Sequence, residues 1–378
     1  MSLASLVERV LGNDLPVRVE AYDGSRAGPP DARSAIVIRS PDALRRVVTA
    51  PGELGLARAY VCGDLQLEGS IWDLIALRDR MPHVGLDTRS MLELARVLGW
   101  RNLRPMEPPP EEVRLHGRRH SKRRDAAAVT HHYDVSNEFY RLVLGPSMTY
   151  SCAVFHEPTD TLEKAQANKY ELVSRKLDLQ PGMRLLDVGC GWGGMAIHAA
   201  REHGARVVGI TLSRRQAELA EKRAVEAGVR DDVEIRVQDY RDVDDGPYDA
   251  ISSIGMYEHV GAAHLPEYFR RLHGLLRPGG RLLNHGIGRP AHERARLPRR
   301  SFTNRYVFPD GELHELGDVV SAIQDAGFEA RHAEALREHY AMTLRHWVDN
   351  LEAAWDEAVA EVGERRARVW RLYMAGSS

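Results

Sequence analysis

Apolar runs alternate with amphipathic stretches along the second half of the chain. Each run has the length and composition of a buried strand, and the runs are MRLLDVG, ARVVGITLS, VEIRVQDYRDV, YDAISSIGMYEHVG and RLLNHGIG. The segments around them have helical spacing, and they are TLEKAQANKYELVSRKLDL, MAIHAAREHG, SRRQAELAEKRAVEAG and LPEYFRRLHGLLRPGG. Strands that alternate with helices predict an α/β fold with a doubly wound parallel sheet.

The first hundred residues have a different pattern, which predicts a smaller α+β domain over residues 1–100. Leu3, Leu6, Val7 and Leu11 have helical spacing, and VRVEAY and SAIVIRS are typical of strands joined by the turn DGSRAGPPD. SPDALRRVVTA predicts a serine-capped helix, and LGLARAYVCGDLQLEGSIWDLIALRDRM predicts a mostly helical run.

A linker over residues 101–128 separates this domain from a second one over residues 129–378. The linker contains PMEPPPEEV, which excludes regular structure. It then becomes basic, with Arg114, Arg118, Arg119, Lys122, Arg123 and Arg124. Two interpretations stay open for this cluster: a solvated tether, or a contact with anionic lipid headgroups. Nucleic acid is not predicted, because no aromatic stacking residues are interleaved.

The turn after the first strand of the second domain is rich in glycine and predicts a ligand site. Asp187 comes two residues before the first of three alternate glycines, Gly189, Gly191 and Gly193. A dinucleotide site would have GxGxxG and an acid at the end of the second strand, where this chain has Thr211. The pattern therefore favours S-adenosylmethionine (SAM) over NAD, although a tight βα turn without a ligand would also need glycines.

Further polar residues come at the ends of the later strands. The carboxyl ends of parallel strands share one edge of the sheet, so these side chains are expected to converge there. They are Asp187, Thr211, Asp239, Glu258 and His285.

Composition excludes several protein classes. Apolar residues make up 43% and charged residues 28% of the chain, as in ordinary soluble proteins, and the net charge of −2 gives no general attraction to nucleic acid. The three cysteines have no zinc-like spacing, so we predict no metal site and a reducing cytoplasm. No apolar stretch approaches the roughly 20 residues of a membrane span, and the N-terminus does not resemble a signal peptide.

The motifs of residues 130–378 resemble those of the cyclopropane-fatty-acyl-phospholipid synthase family of SAM-dependent methyltransferases. The matching stretches are YDVSN (133–137), YSC (150–152), LDVGCGWGG (186–194), QDYRD (238–242), YEHVG (257–261), HGIG (285–288) and YVFP (306–309). In the first domain, GLARAYVCGDLQLEG resembles the full-length bacterial synthases. The resemblance implies a Rossmann-like class I methyltransferase sheet.

The resemblance also implies a reaction and a set of site residues. A methyl group passes from SAM to a cis double bond in a phospholipid acyl chain, and bound bicarbonate removes a proton from the resulting carbocation to give a cyclopropane ring. The implied bicarbonate residues are Cys152, Glu258, His285, Ile287 and Tyr340. The implied SAM residues are Tyr150, Ser151, Asp187, Gly189, Gly191, Gly193, Thr211, Leu212, Gln216, Gln238, Asp239 and Tyr240. Aromatic faces could stabilise the cation, and the candidates are Tyr133, Tyr140, Tyr150, Tyr257 and Tyr306.

Several alternatives remain open from sequence alone. A hydride shift before proton loss would give a methylene-branched acyl chain. A non-catalytic lipid carrier and an NAD-dependent oxidoreductase are the other classes. The expected partner is unsaturated phospholipid in a bilayer, reached by peripheral docking on the inner, anionic face of the membrane; a homodimer is also left open.

Two segments depart from the family pattern. HERARLPRRS, residues 292–301, is unusually basic and suggests a mobile lid or a lipid contact. The family normally continues into a final strand that completes the sheet, whereas this chain ends in RLYMAGSS. The sequence leaves open whether the sheet is shortened.

Overall fold

The structure is a computed structural model that describes residues 2–12, 16–76, 92–93, 95–96, 99, 104–113, 135–292, 301–309 and 311–378. The whole predicted basic cluster (residues 114–124), most of the predicted basic lid (residues 292–301) and Tyr133 lie outside the described residues. Contacts divide the chain into two compact units. The first comprises residues 1–114, 298–307 and 355–378, and the second comprises residues 115–297 and 308–354.

The first unit is built on a small mixed sheet. Its strands are β1 (Arg18–Ala21), β2 (Arg26–Ala27), β3 (Ala35–Ile38) and β4 (Leu65–Glu68), in the order β2-β1-β3-β4. Its helices are α1 (Leu3–Leu11), α2 (Pro41–Thr49), α3 (Glu53–Val61), α4 (Ile71–Ile75), α11 (Phe302–Tyr306), α14 (Trp355–Val362) and α15 (Glu364–Ser377). The chain reverses direction at β2, which pairs antiparallel with β1, and it reverses again before β3. Strands β1 and β3 are therefore parallel.

The predicted helical run in this unit is wrong over LQLE. These residues form β4, which pairs antiparallel with β3 and places Leu67 opposite Ile36. Leu65 and Leu67 alternate with polar residues, and that period of two buries both leucines against the core of this sheet. Gly63 and Gly69 flank the strand at positive φ, so they interrupt the helix that the apolar content suggested.

The last helix also belongs to the first unit, whereas the sequence prediction had placed residues 355–378 in the methyltransferase domain. Arg368 is buried on this helix, and its guanidinium donates to the carbonyl oxygen of Tyr60 at 3.0 Å. It also pairs with Glu364 at 2.7 Å. A buried guanidinium needs such acceptors, and the long separation of these residues along the chain hides the contact from local patterns.

The second unit contains a five-stranded parallel sheet. The strands are β5 (Arg184–Val188), β6 (Arg206–Thr211), β7 (Val233–Val237), β8 (Tyr248–Ile254) and β9 (Leu276–His285), in the order β7-β6-β5-β8-β9. A short parallel pair, β10 (Gly288–Arg289) and β11 (His314–Glu315), follows. The predicted doubly wound α/β fold is confirmed. All five predicted strands of this domain are present, although β9 begins at Leu276, inside the segment predicted as helix, because Pro278 cannot continue a helix.

The second unit also contains eight described α-helices, several of which pack on the sheet. They are α5 (Asn137–Leu144), α6 (Leu162–Leu177), α7 (Gly194–His203), α8 (Arg214–Glu226), α9 (Tyr257–Val260), α10 (Leu265–Leu275), α12 (Leu316–Asp325) and α13 (Arg337–Ala353). Local signals explain their ends: the Thr161 side chain caps the start of α6, and Gly204 ends α7 in the left-handed conformation. Helices α6, α7 and α8 contribute to one apolar core, and α10 and α12 to the other.

The strand order reverses beside β5, and this reversal positions the ligand site. From β5 the chain first builds outward through β6 and β7, and then returns to add β8 and β9 on the other side. The crevice at such a switch point lies beyond the carboxyl ends of the strands, where the glycine loop follows Val188. Among the helices that the structure describes, none is both long enough and apolar enough to cross a bilayer.

Candidate active site

A cavity opens at the carboxyl edge of the second unit's sheet, and most of the predicted SAM residues line it. Those that do are Tyr150, Ser151, Asp187, Gly189, Gly191, Thr211, Leu212, Gln216, Gln238, Asp239 and Tyr240. The remaining residue, Gly193, precedes α7 at a φ of 79°. The geometry therefore brings the predicted cofactor set together around one space.

Asp187 lines the cavity and is buried, and only one of its two carboxylate oxygens has a hydrogen-bond partner among the described residues. Its Oδ1 accepts a 2.6 Å hydrogen bond from the hydroxyl of Ser252, its register partner on β8. Its Oδ2 is buried and has no hydrogen-bond partner among the described residues. Burial raises the pKa of Asp187, and the ammonium group of Lys169 opposes that rise. An unsatisfied buried oxygen is costly, so this atom is suited to accept a hydrogen bond from a ligand.

The glycine loop is tied to the end of β6 and packs tightly against α6. The amides of Gly189 and Cys190 both donate to the carbonyl oxygen of Ile210, at 3.0 and 2.9 Å. A Cβ on Gly194 would lie 2.0 Å from the hydroxyl oxygen of Tyr170. That hydroxyl is hydrogen-bonded to Thr149, so the ring is not free to move away.

We expect Gly194→Ala to lower both stability and SAM affinity. Overpacking of this kind costs about 1–3 kcal/mol, and Tyr170 and Gly194 both line the cavity. Gly274 is the matched control, since it lies in α10 and a Cβ there would meet no described atom within 4 Å. Gly274→Ala should be neutral or stabilising by up to about 1 kcal/mol. Denaturant unfolding and calorimetry with SAM measure both effects; equal SAM affinity in the two variants would contradict the packing argument.

Polar side chains at the ends of β6 and β7 are mutually hydrogen-bonded. Thr211 Oγ1 donates to Gln216 Oε1 at 2.8 Å, at the place where a dinucleotide site would have its acid. Asp239 is paired with Arg241, whose guanidinium donates to both carboxylate oxygens at 2.8 and 2.6 Å. Gln238 Nε2 donates to the carbonyl oxygen of Asp242. These pairs hold the rim of the cavity in a defined shape.

Lys169 is the main site residue that sequence reasoning missed. It lines the cavity from α6, and its ammonium group donates to Ser151 Oγ at 3.1 Å and lies 4.0 Å from the ring centroid of Tyr170. Burial lowers the pKa of Lys169, while Asp187 opposes that change. The signal was the polar pair Gln166 and Lys169, three residues apart on a face that is otherwise apolar.

The predicted bicarbonate residues do not line this cavity in the described part of the chain. Glu258 and Ile287 are in direct contact, since the Ile287 amide donates to Glu258 Oε1 at 2.7 Å. His285 ends β9 and pairs in register with Ile254. Cys152 is buried, and its thiol donates to the carbonyl oxygens of Ala153 at 3.2 Å and Leu336 at 3.6 Å.

Burial sets the protonation of these groups. It raises the pKa of Glu258 to about 7 and lowers the pKa of His285 to about 4. It also raises the pKa of the Cys152 thiol to about 12, so the thiol stays protonated. Two buried atoms, Glu258 Oε2 and His285 Nδ1, lack a hydrogen-bond partner within the described ranges. The charge of Lys169 acts on both His285 and Cys152.

Aromatic rings of the second unit form a connected group beside Tyr150. The Tyr150 ring lies 5.8 Å from Tyr140 and stacks on Trp347 at 5.3 Å. Tyr140 also contacts Trp192 at 4.8 Å, and the predicted site residue Tyr340 of α13 contacts Trp347 at 6.2 Å. Sequence reasoning had named Tyr140 and Tyr150 but missed both tryptophans.

Two other predicted aromatics are placed elsewhere. Tyr257 packs against Gly286, where an added Cβ would lie 2.3 Å from the ring. Tyr306 lies in the first unit and contacts Phe302 at 5.1 Å. It therefore belongs to a different compact unit from the cavity-lining Tyr150.

Comparison with known proteins identifies the family. The family profile described as "Mycolic acid cyclopropane synthetase" matches residues 120–378. A Mycobacterium tuberculosis protein named as a probable fatty acid methyltransferase is 50% identical over 96% of this chain and 87% of its own. The cyclopropane-fatty-acyl-phospholipid synthase of Escherichia coli K12 is 34% identical over 99% of this chain and 92% of its own.

A solved structure agrees with this assignment. A mycolic acid cyclopropane synthase complexed with SAH and CTAB has a TM-score of 0.62 and 35% identity, and it covers 66% of this chain and 91% of its own. SAH is the product that remains when SAM has lost its methyl group. The chain therefore belongs to the mycolic acid cyclopropane synthetase family and is a SAM-dependent methyltransferase.

Proposed function

We propose that this methyltransferase adds the methyl group of SAM to the cis double bond of an unsaturated phospholipid acyl chain and that proton loss then closes a cyclopropane ring. The observation that supports this most is the pairing of a SAM-type cavity with the buried carboxyl of Glu258, whose pKa is raised to about 7. A group with that pKa can take or give a proton near neutral pH.

The residues around the cavity fit SAM. Gly189, Gly191 and Gly193 have positive φ values and present backbone without a Cβ. Asp187 Oδ2 offers a buried acceptor that the described part of the protein does not use. SAM supplies an electrophilic methyl group when bound. The chain's own contribution is to orient the cofactor through Asp187 and to exclude water with Tyr170 and Trp192, which both line the cavity.

The residues predicted to bind bicarbonate have side chains that suit a small oxyanion. A protonated Glu258 donates to an oxyanion, and the neutral imidazole of His285 donates as well when its proton is on Nδ1. Burial lowers the pKa of Lys169 to about 7, and in its protonated form Lys169 would also favour an anion close to Cys152 and His285. One difference from the expected arrangement is that the Ile287 amide donates to Glu258. The role of the Ile287 amide would therefore be to hold the Glu258 carboxyl in place.

The aromatic group beside Tyr150 would stabilise the positive charge on the acyl chain. Ring faces attract cations, and the effect grows when water is excluded. Tyr150 and Trp192 line the cavity, and the buried rings of Tyr140 and Trp347 pack against them. Trp347 connects the group to Tyr340.

A methylene-branched product is the second candidate. The relative with 50% identity is named a fatty acid methyltransferase, whereas the named cyclopropane synthase is 34% identical. Both products gain one carbon and two hydrogens, so intact mass does not separate them. Mild hydrogenation before mass spectrometry does: a methylene branch takes up two hydrogens and a cyclopropane does not. We expect no uptake at the modified carbon, and uptake there would assign the branched product instead.

We also propose that the basic cluster Arg114–Arg124 docks the enzyme on anionic lipid, because the substrate chain lies in a bilayer. Each basic side chain near such a surface contributes about 1 kcal/mol. Binding to vesicles should rise with anionic lipid content and weaken as salt shortens the Debye length from about 10 Å at 0.1 M to about 3 Å at 1 M. Co-sedimentation measures both.

Neutralising Arg118, Arg119, Lys122, Arg123 and Arg124 together should remove most of this salt dependence and leave SAM affinity unchanged. The matched control removes five scattered charges, each on a side chain that is more than half exposed: Arg26, Arg141, Arg175, Arg201 and Arg331. Equal vesicle binding by the two variants would show that total charge, and not this cluster, drives the association.

A further inference from the structure

Two histidines of α7 and one glutamate of α6 converge on the helix pair beneath the cofactor cavity. His203 Nε2 lies 3.0 Å and His198 Nε2 lies 3.6 Å from the same oxygen, Glu171 Oε2. All three atoms lie within 4.8 Å of one another. We propose that Glu171, His198 and His203 bind a divalent transition-metal ion of the zinc type, at a site separate from the methyl-transfer chemistry.

The surroundings of His198 point to a ligand. Its Nε2 is buried and has no hydrogen-bond partner within the part of the chain that the structure describes. An imidazole nitrogen that carries no proton offers a lone pair to a metal ion. A metal ion would satisfy this atom, which otherwise loses hydration without compensation.

The spacing of the three atoms is close to what a tetrahedral ion needs. Bonds of about 2.0–2.1 Å place neighbouring ligand atoms about 3.3–3.5 Å apart. Two of the three separations, 3.0 and 3.6 Å, already bracket that range. The third pair, His198 with His203, lies within 4.8 Å, so it needs a closure of about 1.5 Å at most, which side-chain rotations supply. Two imidazoles and a carboxylate suit zinc, cobalt or nickel, with water completing the shell.

The charged neighbours of Glu171 leave its Oε2 atom available to the histidines. Arg175 donates to the other carboxylate oxygen, Glu171 Oε1, at 2.5 Å, and it is 75% exposed, so it can turn into solvent when an ion binds. On the α7 side, Glu202 is paired with Arg201 and contributes little net charge. The site thus has one carboxylate oxygen and two ring nitrogens within 4.8 Å of one another.

Binding there would fasten α6 to α7. Helix α7 begins directly after the glycine loop, and the ring of Tyr170, which lines the cavity, lies 5.6 Å from the ring of His198. An ion that binds only the folded protein stabilises it by an amount that grows with the logarithm of the ion concentration relative to Kd. The ion is therefore expected to raise the melting temperature, because it would link α6 to α7 in the folded protein only.

The test uses the full-length chain without a histidine tag, treated with a chelator and then dialysed. Co²⁺ is titrated with visible absorption as the readout, and Zn²⁺ by competition and by thermal unfolding. We expect one ion per chain and a higher melting temperature with Zn²⁺. Glu171→Gln and His203→Gln should each weaken binding by at least about tenfold. The control His156→Gln, an exposed histidine of the same unit, should bind like the unchanged protein.

Three results would overturn the site: no binding of either ion, equal binding by the variants and the unchanged protein, or an intense thiolate charge-transfer band with Co²⁺, which would place the ion at a cysteine. Circular dichroism and SAM affinity in chelator distinguish lost ligands from lost folding. Both should match the unchanged protein in each variant, because neither substituted side chain lines the cavity in the described chain.

Discussion

Replacing Glu258 by glutamine is expected to lower turnover by about three orders of magnitude and to leave SAM affinity unchanged. The amide keeps the shape of the side chain and still accepts from the Ile287 amide through its oxygen. The glutamine amide cannot exchange a proton, and it stays uncharged at neutral pH. The carboxyl of Glu258, with a pKa of about 7, can gain or lose its charge there. Glu258 is also absent from the lining of the SAM cavity as the structure describes it. Steady-state kinetics and calorimetry separate the two effects.

The pH dependence of stability provides a control against misfolding. The folded pKa of Glu258 is about 7 against an ordinary 4.5, so between these values the folded chain holds a proton that the unfolded chain releases. The free energy of unfolding contributed by this group therefore falls as pH rises from about 4.5 to 7, by up to about 3 kcal/mol. The glutamine of Glu258→Gln does not titrate, so this variant has no such decrease. Its free energy of unfolding, relative to that of the unchanged protein, should therefore rise between about pH 4.5 and pH 7. A variant that is inactive and also less stable at pH 8 than at pH 5, relative to the unchanged protein, would contradict this account.

Replacing Asp187 by alanine is expected to weaken SAM binding by about two orders of magnitude, because hydrogen bonds to a charged group contribute about 1.5–3 kcal/mol. The change removes the acceptor of Ser252 and the unused Oδ2 together. Asp231→Ala is the control, since Asp231 is exposed on the same unit. Calorimetry with SAM and with NAD decides the result: NAD affinity without SAM affinity would overturn the cofactor assignment.

Local periodicity predicted the methyltransferase sheet well for a physical reason. Parallel strands buried on both faces are short apolar runs, and each helix between them has its own cap, such as Thr161 before α6 and Gly204 after α7. Because the carboxyl ends of such strands share one edge, the placement of Asp187, Thr211 and Asp239 around one cavity also followed from the pattern.

What the sequence could not show depends on contacts between distant segments. Strand β4 is defined by its pairing with β3, and the last helix is held in the first unit by contacts such as that of Arg368 with Tyr60. Lys169 appears as one more lysine of an amphipathic helix until the fold buries it. His198 and His203 are five residues apart, which is not the usual spacing of metal ligands on one helix, and their third partner comes from another helix. The bicarbonate assignment stays a prediction for all five residues, Cys152, Glu258, His285, Ile287 and Tyr340.

The decisive experiment follows the methyl group from SAM into the lipid. The full-length enzyme is incubated with SAM carrying a fully deuterated methyl group and with vesicles of unsaturated phospholipid, and the fatty acids are then released and analysed by mass spectrometry. We expect the monounsaturated acyl chain to gain one carbon with two deuterium atoms, because one deuteron leaves with the base. We expect Glu258→Gln to make almost none of this product. Label in the lipid headgroup, or an acyl chain that keeps all three deuterium atoms, would contradict it.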